Sequence, residues 1–402
     1  MAMLMGMERF AGLVVALVLT AVPAAAQVPA RLGPAEFGTL VRRLSEPPGY
    51  FNTDNLISNE DSYLHAVTGL ERQGVRGGAY LGVGPDQNFS YLAAIRPDIA
   101  FIIDIRRDNL LEQLLFKALF HQARSRMEFL CLLFGRPLPA DTAGWAGADI
   151  VWLLRSVSGG PQDAAAAERA GREVRAAVTA FGVSLSAADL ATIARFHQTF
   201  MREGPALRMS TFGRPERRDY PTYGQLLLQT DLEGHHANYL VREADFQFVR
   251  SLEERNLVVP VVGDLAGPKA VRAIGRYLAE HHERVAAFYT SNVEFYLFQD
   301  GSFGRYAANV AALPHDEKSV IIRSYFPYGR PHPQAQPGYL SIQLLQSFDA
   351  FLGGQRSGGY RGYGDLVTRD LLSIPRPREP PSPSPGAAGR ASRSSRPLSG
   401  TR

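Results

Sequence analysis

The run Tyr80-Leu81-Gly82-Val83-Gly84-Pro85-Asp86-Gln87-Asn88 has the order of a strand, a G-x-G turn and a helix start. Glycines in such a turn let the backbone come close to a ligand, and the free N–H groups of the following helix suit a polar or anionic group. Gly82, Gly84, Asp86 and Asn88 are therefore candidate ligand-binding residues. The third glycine of a G-x-G-x-x-G turn is absent, with Gln87 in its place, and Pro85 removes one backbone donor. Asp104 closes the next apolar run, 22 residues after Gly82. An acid about twenty residues beyond the glycine turn can accept hydrogen bonds from the two hydroxyls of a ribose.

Arg106 and Arg107 follow that acid. They either grip a phosphate or carboxylate of a ligand, or pair with Asp104, Asp108 or Glu112. Upstream, Tyr50 to Tyr63 is dense in hydrogen-bonding side chains, including Asn52, Asp54, Asn55, Ser58, Asn59, Glu60 and Asp61. Read from its residues alone, the stretch is a pair of Asx turns ahead of a helix cap. Gly263-Asp264-Leu265-Ala266-Gly267-Pro268-Lys269-Ala270 resembles a P-loop only superficially. No Ser or Thr follows Lys269, and the second glycine comes one residue early, so Pro268 reads instead as a first helical residue. His235-His236 and His281-His282 match no metal-ligand spacing, and no metal is expected. Cys131, inside an apolar run, reads as a small buried hydrophobe.

Positioning these residues requires alternating strands and helices. Apolar runs at 79–83, 99–103, 257–262, 285–289 and 319–323 read as strands, and the second has no polar break, as expected in a sheet covered on both faces. Helices are expected at 35–44, 60–73 with Ser58 or Asn59 as cap, 89–95, 109–134, 268–281 and 302–312. About 135–255 departs from this alternation. There, 164–181 (capped by Asp163) and 187–201 are Ala-rich and amphipathic, and 208–223 is loop-like. The pattern predicts a doubly wound, Rossmann-like α/β sheet with a large helical insertion between strands two and three. In such a sheet ligands sit beyond the carboxyl ends of the strands, here 82–88, 104–107, 263–269 and 290–294.

With the glycine turn, Asp104 and the strand-ending Gly263-Asp264 pair in view, the chain resembles the class I S-adenosylmethionine-dependent methyltransferases over 79–108 and 256–326. The resemblance implies that Gly82 and Gly84 approach the methionine part of that cofactor, Asp104 its ribose and Asp264 its adenine. Thr290-Ser291-Asn292 falls where the family places polar substrate-side residues, which makes Asn292 and Glu294 candidate catalytic residues. The resemblance also implies that the segment 50–63, ahead of the first strand, closes over the ligand as a lid, and Ser291, with Arg106, Arg107, Asn55 and Glu60, would line the substrate side. Catalysis would rest on proximity and alignment. The chain departs from the family in the missing third glycine, in its long helical stretch and in lacking an Asn-Pro-Pro-Tyr type motif after strand four. As a whole it also looks like an uncharacterised family of exported bacterial proteins with this type of core.

The 402 residues, 45% hydrophobic and 20% charged, describe a globular protein, and a single cysteine excludes a disulfide-stapled fold. Arg9, the apolar run 10–22 and Ala24-Ala25-Ala26 read as a signal peptide cleaved after Ala26, so an exported, periplasmic or secreted protein is expected. Residues 375–402 are almost wholly Pro, Ser, Gly, Ala and Arg, the composition of a disordered tail. That tail carries six arginines and one glutamate, so the chain's +4 becomes −1 for residues 27–374. The basicity thus suits weak contact of the tail with anionic envelope surfaces rather than a nucleic-acid partner for the body. Two functions are expected: S-adenosylmethionine-dependent methyl transfer to an unknown acceptor, or non-catalytic small-molecule binding on the same scaffold. Export favours the second, because that cofactor is a cytoplasmic metabolite.

Overall fold

The computed structural model describes residues 27–140, 144–159, 163–215 and 217–374. The expected signal peptide (1–26) and basic tail (375–402) lie outside the described residues. The chain opens with helices α1 (Pro34–Leu44) and α2 (His65–Arg72), then runs β1 (Ala79–Val83), α3 (Gln87–Ile95), β2 (Ile99–Asp104), α4 (Arg107–Gln122) and α5 (Arg126–Phe134). Before the next strand come α6 (Ile150–Gly159), α7 (Ala164–Ala180), α8 (Ala187–Glu203), α9 (Tyr223–Leu227) and α10 (Glu243–Glu254). Alternation resumes with β3 (Val258–Val262), α11 (Ala270–Glu280), β4 (Val285–Ser291), α12 (Val293–Gln299), α13 (Phe303–Ala311) and β5 (Val320–Tyr325). The last elements are β6 (Ile342–Ser347), α14 (Phe348–Arg356) and α15 (Tyr363–Leu366).

The strands form one mixed sheet in the order β3-β2-β1-β4-β5-β6. All neighbours are parallel except β5 and β6. This is the strand order of a Rossmann-type doubly wound sheet, with its last strand reversed. Every residue of β1 and β3 is buried, as their unbroken apolar sequences require. From β1 the chain winds first towards β2 and β3, and β4 then starts the other half. Right-handed crossovers in those two directions place helices on opposite faces. The helices that touch in succession, α2–α3–α10–α4 and α1–α11–α13–α14, form the two layers. The switch point therefore lies between the carboxyl ends of β1 and β4, where Gly84 and Ser291 leave the sheet.

Several elements differ from expectation, each for an identifiable physical reason. The helix expected at 60–73 begins only at His65, because Glu60 is drawn to the strand ends and Asp61 accepts the N–H groups of Leu340 and Ser341. The helix expected at 109–134 is two helices, because Ser125 caps a new one by accepting from the Glu128 N–H at 3.2 Å. Pro268 is not a first helical residue: α11 starts at Ala270. Strand β6 was not expected, since Gln343 and Gln346 interrupt its apolar pattern. Both glutamines are buried and bonded, Gln343 to Ser324 and Gln346 to the Tyr360 hydroxyl. The expected cap at Asp163 does start α7, and Ser186 caps α8.

Candidate functional site

At the end of β1, Gly84 adopts φ +82°, a left-handed conformation that favours glycine. Gly82 answers to its own neighbours: a Cβ there would overlap the Asn88 amide oxygen and the Tyr80 ring. Asn88 is fully buried and stitches the turn together. Its Nδ2 donates to the carbonyls of Val83 (2.9 Å) and Pro85 (2.7 Å), and its Oδ1 accepts from the Tyr80 hydroxyl at 2.8 Å. Asn88 and Gly82 thus shape the turn, and Gly84, itself buried, stands beside Asn55 and Gln87.

Asp104 ends β2 facing Arg106. The Arg106 Nε donates to Oδ1 at 3.0 Å and its Nη2 to Oδ2 at 2.8 Å, and the Arg106 backbone N–H adds 2.8 Å to Oδ1. The same guanidinium donates through Nη1 to the carbonyls of Thr53 (3.0 Å) and Asp54 (2.9 Å). Arg106 thus pairs with Asp104, one of the partners expected of it, whereas Arg107 takes a partner that was not expected, forking onto Asp189 of α8 at 2.8 and 3.0 Å. The segment before β1 lies across the strand ends. Asp54 accepts from the Ser210 hydroxyl at 2.6 Å, and Asn55 sits at φ +48° next to Gly84.

Beneath that segment is a set of buried polar atoms that the sequence reading did not single out. Asn109, Glu112 and Gln113 occupy positions i, i+3 and i+4 of α4 and so share a face. The Gln113 amide donates to the Gly84 carbonyl at 3.2 Å, which sets this face against the glycine turn. Among the described residues, Asn109 Oδ1 and Nδ2, Glu112 Oε1, Gln113 Oε1 and Gln87 Oε1 are buried without hydrogen-bond partners. Burial drives the Glu112 carboxyl well above its usual range, and the nearby Asp86 adds to the shift. A polar stripe inside the apolar run Leu110-Leu111…Leu114-Leu115-Phe116 was the available signal.

Asp86 itself is buried, and the Tyr223 hydroxyl donates to it at 2.6 Å. Burial raises its pKa to about 6, against the lowering effect of bonds from Tyr223 and Tyr239. Because the folded state holds this proton between about pH 4 and 6 while the unfolded chain has released it, stability falls as pH rises through that window. The loss, from a shift of about two pK units, is of order 2–3 kcal/mol. Denaturant unfolding at pH 4.5 and pH 8 is expected to show Asp86→Asn gaining stability relative to the parent at the higher pH. An equal difference at both values would refute the assignment.

On the other side of the switch point, Glu60 is 2% exposed and accepts from Tyr289 (2.5 Å) and from the hydroxyls of Ser291 and Ser324. Burial raises its pKa, and the surrounding Ser291, Ser324, Tyr289 and Gln343 side chains oppose the shift. Ser291 holds φ +52°, a left-handed conformation that costs a non-glycine residue of order 1–3 kcal/mol. Thus Asn55, Glu60 and Ser291 come together with Gly84 at the switch point.

Of the remaining candidates, Asn292 directly follows Ser291, while Asp264 and Glu294 are engaged with partners of their own. Asp264 accepts from the Ala266 N–H at 2.8 Å in a loop whose other amides, those of Lys269 (2.7 Å) and Ala270 (2.5 Å), donate to Glu46. The P-loop-like turn is therefore wrapped around a carboxylate of its own chain. Asn292 sits at the start of α12. Glu294 is completely buried: the Arg323 Nε donates to it at 2.7 Å and the Tyr306 hydroxyl at 2.7 Å. His235 and His236 are exposed, and among the described residues no group of three or more His, Cys, Asp or Glu is placed to hold a metal ion.

A family model described as a domain of unknown function (DUF7790) matches residues 56–135 and 201–368. Those stretches hold the whole sheet, the glycine turn, α4 and Glu60, and the break between them covers α6, α7 and most of α8. No curated protein matches the chain.

Proposed function

Because the chain belongs to the DUF7790 family, a domain of unknown function, its activity has to be argued from its own residues, and we propose that it binds a small cationic metabolite on a methyltransferase-like scaffold. The carrying observation is the set of unpartnered polar atoms of Gln87, Asn109, Glu112 and Gln113 beside the glycine turn. Four of the five are oxygens, so the site lacks hydrogen-bond donors. Its carboxyls, Asp54, Asp86, Asp104 and Glu112, gather around one cation, Arg106. Buried acceptors without partners are costly, and a ligand bearing positive charge and N–H groups removes that cost.

S-adenosylmethionine, with an ammonium and a sulfonium, has this chemistry, and it supplies an activated methyl group when bound. Glu112, Asn109 and Gln113 would hold its charged end against the Gly84 turn. Asp104 would reach a ribose only by sharing its oxygens with Arg106. Non-catalytic binding is the reading better supported, because Glu294 is bound up with Arg323 and Asn292 starts a helix. Methyl transfer is favoured by one observation, a protonatable Glu60 among Tyr289, Ser291 and Ser324 on the substrate side.

Calorimetry of the full chain with S-adenosylmethionine and with its thioether product, which keeps the ammonium but has lost the sulfonium charge, tests the proposal. Tighter binding of the sulfonium is expected, with Glu112→Gln weakening both ligands roughly tenfold, since both carry the ammonium that Glu112 would hold. Absence of heat at millimolar ligand, or an affinity indifferent to Glu112→Gln, overturns the assignment.

A further inference from the structure

The Ala-rich helices α7 and α8 form a hairpin, and their facing sides do not close. Ala167, Gly171, Val174 and Val178 on α7 look across at Leu190, Ile193, His197 and Met201 on α8, bounding an apolar groove of about 420 Å³. That size falls in the range of small-molecule sites. Gly171 stands in the middle of α7, where glycine costs about 1 kcal/mol relative to alanine. No atom lies within 4 Å of where its Cβ would be, so packing does not demand a glycine there; its effect is to widen the groove.

Two polar groups qualify this apolar surface. His197 is 1% exposed and its Nε2 bonds the Leu132 carbonyl at 2.9 Å, so Nε2 carries the proton. Its Nδ1 is then a bare acceptor, buried and without a partner among the described residues. Burial lowers the pKa of this imidazole, which keeps it neutral. At the rim, Arg172 pairs with Glu168 at 2.7 Å, while Arg175 forms no ion pair or hydrogen bond with any described residue.

An apolar trough, a free guanidinium at its edge and a buried acceptor within it match one kind of molecule. We propose that the α7–α8 groove binds a hydroxylated fatty acid, with its chain along the apolar wall, its carboxylate on Arg175 and its hydroxyl donating to His197 Nδ1. Charge complementarity selects an anion over a cationic amphiphile, and the histidine selects a chain with an O–H over a plain one. The site is separate from the glycine turn and does not depend on what that turn binds.

Calorimetry of the full chain with 3-hydroxydodecanoate, kept below its micellar concentration, is expected to show saturable one-site binding. Gly171→Leu should abolish it while leaving the thermal midpoint unchanged or higher, since the added side chain enters open space on a helix. Arg175→Ala should weaken it about threefold, as an exposed ion pair would. His197→Gln should remove the preference over dodecanoate. Undiminished binding by Gly171→Leu, or equal affinity for dodecyltrimethylammonium, overturns the proposal. So does a chain that self-associates in sedimentation, binds no amphiphile and becomes monomeric with Gly171→Leu, because the groove would then hold a second copy.

Discussion

Glu294→Ala is expected to destabilise the protein by about 3–5 kcal/mol, the loss found when one partner of a buried ion pair is removed. Both side chains of the Glu294–Arg323 pair are 0% exposed. Glu294 takes the Arg323 Nε and the Tyr306 hydroxyl, and Arg323 lies over the Phe351 ring. The Arg323 Nη1 and Nη2 already lack partners among the described residues, so Glu294 is the acceptor that balances the guanidinium. Without it a desolvated cation remains on β5 between the sheet and α14. Replacing both residues, Glu294→Gln with Arg323→Met, should recover much of the loss, since apolar substitution of a whole buried pair is often neutral. Urea unfolding of the single and double variants measures this. If Glu294 served chemistry on an acceptor, Glu294→Ala would unfold at nearly the parent's urea concentration.

The contrast between Glu294 and Glu60 shows what was legible in the sequence and what was not. Strands β1 to β5 and the glycine turn could be read because their signals are local: apolar runs, a glycine requiring positive φ, and an acid at a strand end. The lid reading of 50–63 came from the resemblance alone; the structure shows that Thr53 and Asp54 of this segment meet Arg106 and Ser210. What a carboxylate faces, however, is set by residues far away in the chain. Glu60 meets Tyr289 and Ser324, 229 and 264 residues later, and Asp86 meets Tyr223 across 137. Glu294 meets Arg323 across 29 residues and one helix. Position after a strand suggested an acceptor-side role for Glu294, whereas strand pairing and the α13–α14 layer bury it. The Asn109–Glu112–Gln113 face was locally legible as a helical triad, but its apolar neighbours made the whole run read as core.

Those long-range partners also explain why the two halves of the switch point differ. On the β4 side, Glu60 is surrounded by three hydroxyls and Gln343, so its hydrogen-bonding capacity is met within the chain. On the β1–β2 side the polar atoms exceed their partners. A ligand therefore has more to gain between α3 and α4 than beside β4, which is where a cation-binding reading locates it.

Arg106 decides how far that side can open, and Arg106→Ala is expected to cost about 3 kcal/mol or more while raising affinity for a nucleoside. The Arg106 and Asp104 side chains are 8% and 11% exposed, so breaking their pair strands a largely desolvated carboxylate. The same substitution releases the Thr53 and Asp54 carbonyls in the segment before β1. Asp104 keeps its bond from the backbone N–H of residue 106, and Oδ2 becomes free to accept a ribose hydroxyl. Stability and affinity should therefore move in opposite directions, which loss of structure alone does not produce. The measurement is paired: urea unfolding for the first, and adenosine and S-adenosylmethionine titration in the folded baseline for the second. Loss of both together would mean that Arg106 builds the site and that Asp104 serves only to hold it; a gain in affinity abolished again by Asp104→Asn would assign the ribose contact to Asp104, with Arg106 as the residue that competes for it.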